Sequence, residues 1–235
     1  YRNAGTAEFL LDGDDFYFLE VNARLQVEHP VTELRFGCDL VAEQLRIAAG
    51  ERLAEHKPPR GWAIECRLTA EEPEHGFRPA TGKVLYLHMP SGPGVRVDSA
   101  LEQGTVVTTY YDSLIAKVVS YGATREEARC RMIAALEDVS ILGVAHGTAF
   151  LRDIVASAPF ARGDLSTHFI EENSPTWSCS REHENAALIA AALAVGDSKE
   201  FAPHSPDSGR NDPERNDARS SPWNRLGSFR LWNSQ

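Results

Sequence analysis

Between Phe16 and Thr32 the chain reads FYFLEVNARLQVEHPVT, and from Glu20 every second residue carries a group that can bind or react: Glu20, Asn22, Arg24, Gln26 and Glu28. In a strand the side-chain period is two, so these five would share one face. The runs TAEFLL (Thr6 to Leu11) and FYFLEV (Phe16 to Val21) flank Asp12-Gly13-Asp14-Asp15, a turn signal, and predict a hairpin. A three-residue loop, Gly13 to Asp15, sets Glu8 opposite Glu20 with Cβ atoms about 5 Å apart, whereas a four-residue loop shifts the pairing by one. In the first register two carboxylates and Asn22 lie among Leu10, Phe16 and Phe18. Like charges on so apolar a surface are unfavourable unless neutralised. Magnesium or manganese does this, because hard cations take carboxylate and amide oxygens and leave positions open for phosphates. On geometry alone, an exposed edge hairpin whose acids aid solubility carries equal weight.

Further along, the alternation runs through Arg24, Gln26 and Glu28 until His29-Pro30 breaks it. Arg24 and Gln26 suit a small oxyanion, since a guanidinium fork matches carboxylate-like geometry. Glu28 could then take a proton from the bound species. Surface ion pairing is the default for any two such residues, and five in phase weaken that default.

These residues need a scaffold, and 235 residues at 42% hydrophobic provide for one large or two modest domains. A net charge of -10 argues against nucleic acid or an anionic membrane as a general partner. Cys38, Cys66, Cys130 and Cys179 are scattered without a CxxC pair, which suggests a reducing compartment: the cytoplasm, or the mitochondrial matrix in a eukaryote. No apolar run approaches the ~20 residues of a membrane span. The opening YRNAGTAEF lacks a methionine and any leader character, so Tyr1 is expected to be an internal residue of something longer.

After the hairpin, Asp39 to Gly50 (DLVAEQLRIAAG) has helical spacing, an N-cap aspartate and a glycine stop. Beyond Pro58-Pro59 come short strands over Ala63 to Leu68, Lys83 to His88, Val95 to Asp98, Val106 to Thr108 and Leu114 to Ser120. Helices follow over Thr124 to Glu137 and Thr148 to Ser157; the first turns Ala128, Met132, Ala135 and Leu136 to one side and has Thr124 and Glu127 set as a capping box. This order points to an α+β fold with a domain change near Lys57 to Arg60. Beyond Ser174, His183 to Val195 suggests an Ala-rich helix, Gly196 to Pro222 a disordered linker, and SPWNRLGSFRLWNSQ the start of another domain.

The stretch AEFLLDGDDFYFLEVNARLQVEHPVTEL resembles the catalytic heart of biotin carboxylase, an ATP-grasp enzyme, and RLQVEHPVTE is highly specific to biotin-dependent carboxylases. The likeness continues through LVAEQLRIAAGE, AIECRLTAEEP, GPGVRVDS, TYYDSLIAKVVSYG and TREEARCRM, covering roughly residues 1–171. It implies the C-terminal part of an ATP-grasp domain over 1–58 and the biotin carboxylase C-terminal domain, an antiparallel sheet with helices, over 59–173. A partly disordered linker over 174–222 and the start of a truncated middle domain over 223–235 complete the expected organisation.

Carried over by position, the resemblance implies metal ligation by Glu8, Glu20 and Asn22, which would hold two magnesium or manganese ions against ATP. It places the bicarbonate pocket at Arg24, Gln26 and the backbone of Val27, the general base at Glu28, and the residue that steadies the biotin enolate at Arg67. For Arg67 the residues alone suggest an inward salt bridge. Tyr110-Tyr111-Asp112 and Lys117 match a stretch near the site and are given supporting roles, an aromatic-rich strand being more often core. Arg96 matches a residue at the family's dimer contact, so a homodimer is expected of the full-length protein.

The implied reaction is ATP-dependent carboxylation of biotin with bicarbonate through carboxyphosphate. Biotin would arrive on a separate carrier domain, no AMKM motif being present, and a carboxyltransferase subunit would receive the carboxyl group. Family members have nucleotide-gripping lysines and a lid before the point where this chain begins, so the isolated chain is expected to be inactive. Asn22-Ala23-Arg24 has alanine where many members have threonine. The tail SPWNRLGSFRL looks like the middle domain of acyl-CoA carboxylase α-subunits. A non-catalytic, truncated assembly module and another ATP-grasp ligase are the alternatives.

Overall fold

The two opening runs pair in the computed structural model of the chain, which describes residues 1–200. Strands β1 (Thr6–Asp12) and β2 (Asp15–Asn22) form an antiparallel hairpin. Its turn is tighter than the loops considered from sequence. Asp12 pairs with Asp15 across Gly13-Asp14, and Gly13 has φ 61°, a left-handed backbone that glycine adopts without a Cβ penalty. A two-residue turn by itself would put Leu19 opposite Glu8. A bulge between Glu8 and Phe9 shifts the register, so that Glu8 faces Glu20.

Helix α1 (His29–Phe36) starts with Pro30 in its first turn and stops at Gly37, whose φ is 66°. Helix α2 (Leu40–Ala48) is capped by Asp39, which accepts from the Ala42 N–H at 2.8 Å. The strands that follow are β3 (Trp62–Thr69), β4 (Glu71–Glu72), β5 (Arg78–Pro79), β6 (Gly82–Lys83), β7 (Tyr86–His88), β8 (Val95–Ser99), β9 (Val106–Val107) and β10 (Leu114–Gly122). Next come α3 (Arg125–Asp138), β11 (Ser140–Leu142), α4 (Thr148–Ala156), α5 (Ala158–Arg162), α6 (Phe169–Asn173) and α7 (Glu184–Glu200).

The strand expected over Lys83 to His88 is split in two. Val84 donates to Thr105 O while Leu85 donates to Leu142 O, so the backbone changes partner between them; β6 then pairs with β9 and β7 with β11.

The largest sheet has the antiparallel order β3-β10-β8. On one face Cys66, Leu68, Ala116 and Val118 join Met132, Ala135 and Leu136 of α3 in a single core. The four residues of α3 predicted to face inward are the four it buries. Thr124 accepts from Glu127 N at 3.1 Å, while the Glu127 carboxylate reaches back to Ala123 N, one residue before the position a standard capping box uses. The other face, built on Arg67, Lys117 and Asp98, is polar and covered by α1.

The chain divides into units Tyr1–Ser180 and Arg181–Gln235. In the second, α7 runs five residues past Val195 into the stretch expected to be linker, so residues 196–200 are helical. Gly196 costs a helix only about 1 kcal/mol relative to alanine and does not stop this one. Residues 201–222, where the rest of that linker was placed, and 223–235 lie outside the described residues.

Leu68 is fully buried between the sheet and α3. Leu68→Ala should therefore cost about 2–5 kcal/mol, read as a lower urea midpoint at unchanged slope.

Candidate active site

Strand β2 ends at Asn22, and residues 23–27 are irregular. The expected strand alternation therefore does not continue to Glu28, which instead caps α1 with φ -82° and ψ 10°. Pro30 fixes that helix start, and the chain must turn to reach it. The polar row survives as a hydrogen-bonded chain. Arg24 donates to Gln26 Oε1 at 2.8 Å and to Asn22 Oδ1 at 3.3 Å, and Gln26 donates to Glu8 Oε1 at 3.0 Å.

Asn22 Nδ2 lies 2.7 Å from Glu8 Oε1 and 2.9 Å from Glu20 Oε1, so two carboxylate oxygens converge on one point. That convergence fits a hard cation, with the amide oxygen available by rotation of the Asn22 side chain. Among the described residues no group of three or more His, Cys, Asp or Glu side chains could hold a metal, so the set rests on two acids and an amide.

Beyond the hairpin the polar face of the β3-β10-β8 sheet meets the start of α1. Arg67, expected from the residues alone in an inward salt bridge, is half exposed and donates to Glu28 Oε2 at 2.5 Å. Glu28 caps no backbone N–H with its side chain, which leaves the carboxylate free for this pair. Lys117, opposite Arg67 in the register, donates to Val27 O at 3.0 Å and meets Asp98 at 3.2 Å. Arg96 grips Asp98 at 2.8 Å and Glu33 at 2.7 Å, while the buried Glu33 also accepts from Leu40 N. The Arg96 hydrogen bonds, aided by Lys117, hold the Asp98 carboxyl below the usual aspartate range.

Glu65 was missed from sequence, although a glutamate in an otherwise apolar strand, two residues before Arg67, was the signal for it. Burial pushes its carboxyl up to about 7, against the pull of Lys117 and Arg67. Tyr110 and Tyr111, taken as core-type aromatics, lie between β9 and β10 at 88% and 87% exposure, because the chain there is loop rather than strand. A cleft of about 510 Å³ opens beside Arg24, Gln26 and Glu28, with Asn3, Gln44 and His56 among its other lining residues.

Residues 65–172 match the Biotin carboxylase C-terminal domain, and residues 1–56 match the Carbamoyl-phosphate synthase L chain, ATP binding domain. The chain belongs to the biotin carboxylase family. It is 48% identical over 175 residues to a biotin carboxylase of Pseudomonas aeruginosa, covering 73% of this chain and 39% of that protein. A mitochondrial propionyl-CoA carboxylase alpha chain of Mus musculus is 41% identical over 220 residues, 87% of this chain and 30% of the relative. Among solved structures, the biotin carboxylase domain dimer of Hydrogenobacter thermophilus 2-oxoglutarate carboxylase, in complex with MgADP, ADP and bicarbonate, superposes with a TM-score of 0.74 at 42% identity. That match covers 77% of this chain and 41% of the other. The chain thus spans about two fifths or less of the length of these biotin carboxylase relatives. No helix among its described residues is long and apolar enough to cross a membrane.

The depressed Asp98 pKa has a sign. Its contribution to stability is fully present above the unfolded aspartate value and is lost as pH falls through the lower folded one. Asp98→Asn should cost about 2 kcal/mol at neutral pH and much less in acid, checked by urea midpoints at both pH values.

Proposed function

We propose that this chain supplies the metal, bicarbonate and biotin-facing part of a biotin carboxylase, acting in an acyl-CoA carboxylase. The observation that carries the reading is the Arg67–Glu28 contact at 2.5 Å, which joins residues 39 positions apart into one site. Support for the acyl-CoA branch comes from the propionyl-CoA carboxylase alpha chain, whose match covers 87% of this chain against 73% for the biotin carboxylase.

In this reading Arg24, Gln26 and the Val27 backbone hold bicarbonate, and Lys117 fixes the Val27 peptide through its carbonyl. Glu28, held by the Arg67 guanidinium, takes the bicarbonate proton at its carboxylate. Arg67 then faces the biotin enolate that accepts the carboxyl group, reached by way of carboxyphosphate. Glu8, Glu20 and Asn22 would hold magnesium or manganese, whose role is to neutralise the phosphate charge of ATP. Domain limits near residue 58 and residue 173, a carrier-borne biotin, a carboxyltransferase partner and a homodimer belong to the same proposal.

The hairpin is exposed at Phe9, Leu11, Phe16 and Phe18, an apolar surface suited to the rest of an ATP-grasp domain. Bicarbonate-dependent ATP hydrolysis should be absent in the isolated chain and appear when the N-terminal part of a family relative is added; silence in a mixture shown to associate would favour a non-catalytic assembly module. In the active mixture, Arg67→Ala should lower biotin carboxylation on the order of a hundredfold while manganese binding is retained. Unchanged carboxylation would remove Arg67 from the mechanism.

A further inference from the structure

One carboxyl group on the polar face of the sheet is used by none of these steps. Glu65 shares a face of β3 with Arg67 and sits opposite Val119 of β10, itself fully buried. Both Glu65 carboxyl oxygens are closed off from solvent, and among the described residues neither has a hydrogen-bond partner. Buried polar groups are rarely left so, because an unpaired one costs the whole of its lost hydration.

The charged groups around it explain the vacancy. From the sheet, Lys117 and Arg67 favour its charged form, while Glu28 at the head of α1 and Asp98 on β8 oppose it. Arg67 gives Nη2 to Glu28, and Lys117 gives Nζ to Val27 O and Asp98. Arg96 is engaged by Glu33 and Asp98, His29 Nδ1 meets Gln26 O, and Arg35 donates to Gly61 O. Glu65 is thus an acid beside two cations whose hydrogen bonds, among the described residues, go to other acceptors. The balance changes when Glu28 gains a proton. Its hold on Arg67 then drops from an ion pair to a hydrogen bond charged on the donor side alone, and its repulsion of Glu65 disappears.

We propose that Glu65 is a positioning residue for Arg67, the buried carboxylate that becomes the counter-charge of Arg67 and Lys117 when Glu28 is protonated. The step moves protons alone: Glu28 gains the one taken from bicarbonate, and Glu65, closed from solvent while Arg67 is held by Glu28, releases one to the water admitted as Arg67 turns toward it. It deepens the carboxylase reading and rests on Glu28 as the base.

The test begins on the chain itself, labelled with carboxyl-¹³C glutamate and Nε-¹⁵N arginine and titrated by NMR. One glutamate should titrate in the neutral range and vanish in Glu65→Gln. Its midpoint should fall in Glu28→Gln and rise in Lys117→Met. The Arg67 resonance should follow the same midpoint in the unaltered chain and lose that response in Glu65→Gln. A flat Arg67 signal, or no glutamate titrating near neutrality, overturns the proposal. The unaltered chain and Glu28→Gln carry the test if Glu65→Gln does not fold. In the complemented enzyme, Glu65→Gln should lower kcat for biotin carboxylation roughly tenfold to a hundredfold with little change in the KM for ATP, and Glu65→Asp should recover part of it. If a mixture shown to associate is silent even with the unaltered chain, the carboxylase reading fails and the titration decides on Glu65 alone.

Discussion

The pairing of β10 with β3 on one side and β8 on the other is the constraint on which the core and the polar cluster both depend. Side chains alternate along a strand, so one register fixes two surfaces at once. Ala116 and Val118 go to the α3 side, where Cys66 and Leu68 meet them, while Lys117 goes to the α1 side opposite Arg67 and Asp98. A slip of one residue would bury the lysine under α3 and set the valine among the charged groups under α1. The hydrophobic penalty for that slip holds the ion cluster in place more firmly than its own hydrogen bonds do.

Helix α1 depends on the same face. Glu33 accepts from Arg96 and from Leu40 N, and Lys117 holds the carbonyl just before the helix cap. The loop from Ala23 to Glu28 is therefore tied at its end to a rigid sheet, while its beginning continues from the hairpin. An isolated two-stranded hairpin is marginal in water. Here Gln26 bonds to Glu8, and Gln44 of α2 bonds to Asn3 ahead of β1. The acids at Glu8 and Glu20 reach the loop through Asn22 and Arg24, so the row of polar groups is continuous from Glu20 to Gln26 although the strand is not.

Much was legible in the sequence because it is local. The hairpin and the place of its turn, the Asp39 and Thr124 caps, the inward side of α3 and the strands around Arg67 and Lys117 follow from periodicity and end signals that act within a few residues. The pairing of Glu8 with Glu20 was reached by an incomplete route. A three-residue loop predicts it, but the chain uses a two-residue turn and a bulge, which no spacing rule reveals. Residues 23–28 kept a polar alternation that reads as strand, yet the proline ahead turns them into the approach to a helix.

By itself, then, the sequence determined most of the element types, the chemical character of the central strand faces and, through RLQVEHPVTE, the family resemblance. Only the tertiary structure decided that Arg67 meets Glu28, that Lys117 reaches across 90 positions to Val27, that Tyr110 and Tyr111 stand in solvent, and that the Glu65 carboxyl oxygens are buried with no partner among the described residues. The physical reason is that periodicity says which way a side chain points, whereas strand order and register decide what stands opposite it and how much water remains between them.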